Sequence, residues 1–280
     1  MALVKRIALV LVAIVVLALA VIYGGSEWAI RRSHAVALKD LAIPHDAAAV
    51  EEGGRLAKIY GCRGCHNANA EGSVWPDPPW FVASIAPPGI ARKIADYSDA
   101  EVVRLIRHGV RKDGTSLFIM PTVAHRFIAD DDLGKLIAWL RTVKPGPKDV
   151  TQDTTFGPIA RAMLLFGQVQ PSLQVGDVAE QHRPADVGRY YYDSVCSECH
   201  LLDKPKPTED GKQIAPALPP MAAAYDPVAF KKLLRTGVGM SPRDLGLMKQ
   251  VATEATYALT DPEIDAIQAY LKGEGEKAGK

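Results

Sequence analysis

The longest apolar run opens the chain. Residues 7–26, IALVLVAIVVLALAVIYGGS, carry no charge and follow Lys5 and Arg6. At about 1.5 Å per residue such a run spans about 30 Å, the thickness of a hydrocarbon core. It predicts one transmembrane helix within residues 1–30. A cleaved secretory signal competes, with ALA at 18–20 as the cleavage site. The run continues through Val21, Ile22 and Tyr23, and Trp28 has the place of an interfacial aromatic, which favours a retained anchor. Lys5 and Arg6 on one side balance Arg31 and Arg32 on the other, so charge alone sets no orientation.

Beyond residue 45 the pattern becomes helical and occurs twice. AAAVEEGGRLAKIYGC places apolar residues at helical spacing and ends in Cys62. DYSDAEVVRLIRHGV opens on a capping box, Ser98 with Glu101, and closes at Gly109, a helix C-cap. ADDDLGKLIAWL at 129–140 starts acid-rich, as does TDPEIDAIQAYL at 260–271, where Thr260 and Glu263 form a second box and Pro262 suits the first turn. Gly54-Arg55-Leu56 precedes Cys62 at the same distance as Gly188-Arg189-Tyr190 precedes Cys196. SIAPPGI pairs with QIAPALP, and LIRHGV with LLRTGV. Recurrence at a fixed offset means two copies of one unit. The expected organisation is residues 45–145, a joining stretch 146–185 with the short apolar helix FGPIARAMLLFG, and residues 186–275. The bland reading of that helix is a linker docked between the units; the sharper one is a membrane-surface or partner-binding helix. WPDPPW and KPKPTEDG read as loops.

Composition adds the chemistry. The chain has four cysteines, in CRGCH (Cys62, Cys65, His66) and CSECH (Cys196, Cys199, His200). Cys-x-x-Cys-His is the attachment signature of c-type haem. Two thiols on one helical turn each reach a vinyl edge of the porphyrin, and the following histidine reaches the iron. A zinc ribbon sets its two pairs about 15–20 residues apart, far less than here, and a redox dithiol needs no following histidine. The predicted cofactors are two covalently attached haem c groups. Haem attachment of this type takes place outside the bacterial cytoplasm, so the predicted location is the inner membrane, single-pass, with the globular part in the periplasm.

The repeat also nominates the sixth ligands. Met120 lies eleven residues after Gly109, and Met248 eleven after Gly237, both expected in loops. Met240 competes with Met248. A thioether stabilises Fe(II), raises the potential and leaves no open iron for substrate. Pro87 and Pro216, in the shared IAP, are expected to offer carbonyls to the Nδ1–H of His66 and His200. His108 is expected at a helix end with partial charge. His34, His45, His125 and His182 read as surface residues, and Met163 and Met221 as packing. Net charge is +1 with no basic stripe, which excludes a nucleic-acid role.

With these residues in hand, the chain resembles tandem class I cytochrome c domains, and in particular membrane-anchored cytochrome subunits of bacterial periplasmic dehydrogenases. The resemblance is carried by CRGCH, CSECH, RHGVRKDGTSLFIMP and RTGVGMSPRDLGLM. It implies an all-α fold of two such domains behind one N-terminal transmembrane helix. It implies His66 with Met120 and His200 with Met248 as axial pairs. The implied partners are a dehydrogenase as donor and a quinone- or oxidase-linked acceptor, with the chain an electron carrier and not itself an enzyme. Many such subunits carry three haem motifs, and this chain carries two. The alternatives are a dihaem oxidoreductase with one catalytic haem, the dihaem subunit of a terminal oxidase, and a sensor or structural haem protein.

Overall fold

The first helix, α1 (Ala2–Arg31), is unbroken and leaves its apolar side chains uncovered along most of its length. Among the described residues, 1–208, 211–241 and 243–278 of this computed structural model, it is the one helix long and apolar enough to cross a membrane. The chain is otherwise mostly helical. The first unit holds α2 (Ala47–Ile59), α3 (Cys62–Cys65), a strand β1 (Ala83–Ser84), α4 (Ile90–Lys93), α5 (Asp99–His108), α6 (Thr122–His125) and α7 (Asp130–Thr142). A connecting segment carries β2 (Thr155–Phe156), antiparallel to β1, and α8 (Pro158–Leu165). The second unit follows with α9 (Val187–Ser194), a 3₁₀ turn at Cys196–Glu198, the pair β3 (Lys206–Pro207) and β4 (Ile214–Ala215), then α10 (Leu218–Ala224), α11 (Pro227–Thr236), α12 (Leu247–Glu254) and α13 (Asp261–Ala278).

Local chemistry sets the helix ends. The Ser98–Glu101 capping box opens α5, and Gly109 closes it in the left-handed region at φ 65°. Gly237 closes α11 at φ 67°, while the Asp226 carboxylate caps its start. Thr260 N–H donates to Glu263 at 2.8 Å, the reciprocal half of the box that opens α13.

Each unit is built on one close helix crossing. A methyl group on Gly53 of α2 would lie 2.0 Å from the Lys135 carbonyl of α7, and one on Gly188 of α9 2.2 Å from the Ala266 carbonyl of α13. Gly188 therefore matches Gly53, one residue earlier than the Gly54 that motif counting pairs with it. The first unit absorbs its extra residue at Gly61, left-handed at φ 73°, just before Cys62. The α2–α7 core (Leu56, Leu133, Leu136, Ile137) and the α9–α13 core (Tyr191, Ile264, Ile267, Leu271) belong to one continuous buried cluster.

Polar groups stitch the seam between the units. Tyr60 and Tyr190 hydroxyls meet at 2.8 Å, and Tyr190 donates to the buried Asp132 carboxylate at 2.9 Å. Arg183 pairs with that carboxylate at 2.9 Å, and Arg55 with Glu263 at 2.8 Å. Burial alone would raise the Glu263 pKa, but hydrogen bonds from Arg55, Tyr191 and the Thr260 amide hold it at about 2.

The joining stretch is not a helix wedged between units. Helix α8 docks on the end of α1, and residues beyond it wrap the first unit: Ser172 N–H donates to Leu117 O at 2.7 Å and Asp130 N–H to Glu180 O at 2.9 Å. The first unit's backbone hydrogen bonds are completed by this return, so the stretch is part of its fold.

Candidate functional site

The two Cys-x-x-Cys-His motifs form tight turns. Cys62–Cys65 is a single helical turn entered through Gly61, and His66 N–H closes it on Cys62 O. The Ser73 hydroxyl donates to Cys65 O at 2.7 Å and holds the turn against the loop that follows. In the second unit His200 N–H donates to Cys196 O at 2.9 Å, and the Ser197 hydroxyl ties the turn to Asp193 O. All four cysteines are free and half-buried. Burial, with the partner cysteine second, pushes the Cys62 and Cys196 thiols up to about 12. A reactive dithiol needs the opposite shift, and among the described residues no three His, Cys, Asp or Glu side chains gather as a metal site.

Each motif histidine has its Nδ1 against a proline carbonyl. His200 Nδ1 lies 2.9 Å from Pro216 O. His66 Nδ1 lies 2.7 Å from Pro88 O, not Pro87 O. The Pro87 carbonyl accepts the Ser73 amide at 3.0 Å instead, so the second proline of IAPPGI faces the ring. A ring that donates through Nδ1–H presents a lone pair on Nε2, and burial lowers both histidine pKa values, keeping the neutral form that binds metal. Paired thiols on a turn beside such an imidazole fit a c-type haem.

Met120 and Met248 are both half-buried against the core cluster. Met120 sits in the bend before α6, whereas Met248 is in the first turn of α12 and not in a loop. Gly246, at a positive φ of 51°, stands at the N-cap of that helix, which the sequence pattern did not predict. Met240 is 60% exposed. Helix α12 packs against α3, and α6 against the Cys196–Glu198 turn, so both Cys-x-x-Cys-His turns lie at the seam between units.

His125 departs from the surface reading, and His108 from the partial charge expected of it. His125 is buried, its Nε2 3.0 Å from Tyr60 O, and burial lowers its pKa to about 4. Its sequence neighbours are polar, but α6 turns it inward against Tyr60. His108 is buried too; its Nδ1 lies 2.9 Å from Gln174 O, and burial lowers its pKa, so it is a neutral packed ring rather than a partial charge on the helix dipole. The doubled proline of IAPPGI is the one local signal for Pro88. Nothing local marks Tyr60, Tyr190 and Arg183 as seam residues, and the capping box that marks Glu263 does not reveal its Arg55 partner.

No family model matches the chain. It is similar to two curated proteins. One is the fructose dehydrogenase cytochrome subunit of Gluconobacter japonicus, 26% identical over 260 residues, covering 82% of this chain and 53% of that protein. The other is the gluconate 2-dehydrogenase cytochrome c subunit of Pantoea cypripedii, 24% identical over 266 residues, covering 82% of this chain and 60% of that protein. The chain thus spans between half and two thirds of the length of these relatives.

Proposed function

We propose that this chain is a dihaem c-type cytochrome, anchored by α1 with its globular part in the periplasm, that relays single electrons as a subunit of a membrane-associated dehydrogenase. The observation that carries the reading is the pair of Cys-x-x-Cys-His turns, each with its histidine Nδ1 held by a proline carbonyl. The relatives, both cytochrome subunits of dehydrogenases, supply the class of partner. Each half is read as a class I cytochrome c domain, and a quinone- or oxidase-linked protein is the acceptor.

Cys62 and Cys65 would hold one group and Cys196 and Cys199 the other, with His66 and Met120, and His200 and Met248, as the residues that would ligate the irons. Haem c, when bound, supplies an iron that gains and loses one electron. The Pro88 and Pro216 carbonyls fix the imidazole planes and strengthen the nitrogens as donors. The Met120 and Met248 thioethers would favour Fe(II) and would leave no ligand position for a substrate. The Tyr60–Tyr190 bond and the Arg55–Glu263 pair hold the two turns at a fixed separation, which suits exchange between units without docking motions.

The test is twofold. Pyridine haemochrome analysis should return two haems per chain. Pull-down from native membranes should recover a dehydrogenase subunit together with a two-haem chain. One haem per chain, or recovery of the chain without any redox partner, contradicts the reading.

A further inference from the structure

Helix α8 is held at one level of α1. The Arg161 guanidinium donates to Glu27 at 2.8 Å and to the Ser26 hydroxyl at 3.0 Å, and lies 4.8 Å from the Tyr23 ring. A methyl on Gly25 would come within 2.6 Å of the Leu165 side chain, so the two helices are in close contact there. The end of α1 is itself pinned to the first unit. His34 N–H donates to Gly114 O at 2.8 Å, and Lys39 pairs with Asp130 at 2.9 Å and Asp177 at 2.7 Å. The level is informative because the charge-free run ends at Ser26. If residues 7–26 cross the hydrocarbon, the residues that hold α8 are where acyl chains give way to headgroups.

At that level α8 keeps apolar side chains uncovered. Ile159, Met163 and Phe166 recur at i, i+4 and i+7, one face of a helix, with Ile159 46% and Phe166 74% exposed and Met163 between them half-buried. Leu164 and Ala160, off that face, are buried. The turn carrying Trp80, 80% exposed, and Phe81 abuts the start of α8: Ile159 N–H donates to Phe81 O at 3.3 Å. Trp28 is likewise exposed and has Arg32 stacked 5.3 Å from its ring. Exposed tryptophans and an apolar helix face, continuous with a spanning helix and flanked by arginines, match the chemistry of the lipid interface.

We propose that α8 and the Trp80–Phe81 turn form a second membrane contact, seated in the headgroup–acyl boundary beside α1. The proposal rests on α1 being a retained membrane span. Its occupant is lipid, and its consequence is that the two attachment turns are held at a fixed height and tilt above the bilayer.

The test uses the full-length haem-loaded protein in nanodiscs of phosphatidylethanolamine and phosphatidylglycerol doped with a diazirine-bearing phospholipid. After photolysis, adducts are mapped by mass spectrometry. Adducts are expected on α1 and also at residues 80–81 and 159–166. Adducts on α1 alone overturn the proposal while leaving the anchor in place. Adducts on neither region remove the anchor reading, and the proposal with it. Residues 159–166 labelled only in the absence of other membrane proteins, and shielded by a cross-linked polypeptide in native membranes, would make the occupant a protein and overturn the lipid assignment. In the F166E/W80E variant, adducts at these two segments should fall at least fivefold with haem content unchanged. Unchanged adducts contradict the contact.

Discussion

In the first unit 22 residues separate His66 from the proline whose carbonyl orients it; in the second, 16 separate His200 from Pro216. The first unit fills the difference with the Trp80–Phe81 turn and β1, which pairs with β2 and leads to α8 and the base of α1. The second unit closes its loop with the local hairpin β3–β4. Both end with a ring nitrogen on a proline carbonyl. The chemistry at each turn is set locally, so a loop can grow outward and take on a second task without disturbing it.

The two units are told apart most completely at the cysteines. C62A/C65A and C196A/C199A should each lose one of two haems, halving the haemochrome absorbance per chain. If either double variant keeps both haems, its turn is not an attachment site.

Next come the helix crossings, which test the structural equivalence of Gly53 and Gly188. Gly53→Ala and Gly188→Ala each force a methyl into backbone at about 2 Å and should cost about 2–3 kcal/mol by denaturant unfolding. Gly54→Ala meets only the Trp139 ring at 3.0 Å and should cost well under half of that. Equal costs at Gly53 and Gly54 would restore the register counted from the motifs.

The methionines sharpen the contrast between a bend and a helix turn. Met120→Leu and Met248→Leu should each lower one haem potential by on the order of 100 mV, within the ~0.8 V range that axial ligands command. Met240→Leu should leave both potentials in place. Spectroelectrochemistry on the full chain reads this directly. A shift with M240L and none with M248L would move the ligand to the exposed residue.

The smallest effect lies at the seam. Glu263 titrates at about 2 in the fold against 4.5 unperturbed. Its folded pKa is depressed, so its stabilisation is present above about pH 4.5 and is lost as pH falls towards 2. Glu263→Gln should cost about 1–2 kcal/mol at pH 7, because the Arg55 and Arg183 partners are partly solvated, and should flatten the acid limb of a stability–pH curve. An acid limb unchanged in E263Q contradicts the pairing.

Helix punctuation is legible in the sequence. Ser98–Glu101, Thr260–Glu263, Gly109 and Gly237 act within four residues along the chain, so spacing alone finds them. The Cys-x-x-Cys-His turns are legible for the same reason. What the sequence hides depends on distant chain. Gly61 slips the register by one only because α2 must still cross α7 at Gly53. Pro88 displaces Pro87 because Ser73 takes the earlier carbonyl. His125 looks solvated among Arg126 and the acidic run at 130–132, yet α6 folds it under Tyr60. The Arg55–Glu263 pair joins residues 208 apart, and no window of sequence contains it.

The proposed closure of both irons by nitrogen and sulfur is tested most directly by adding carbon monoxide to the reduced full-length protein at neutral pH while counting haem. Two haems per chain are expected, with absorption spectra that do not change, since on the proposed ligand set neither iron would keep a free position. A carbon monoxide complex at either haem would contradict this and assign that unit a reactive iron.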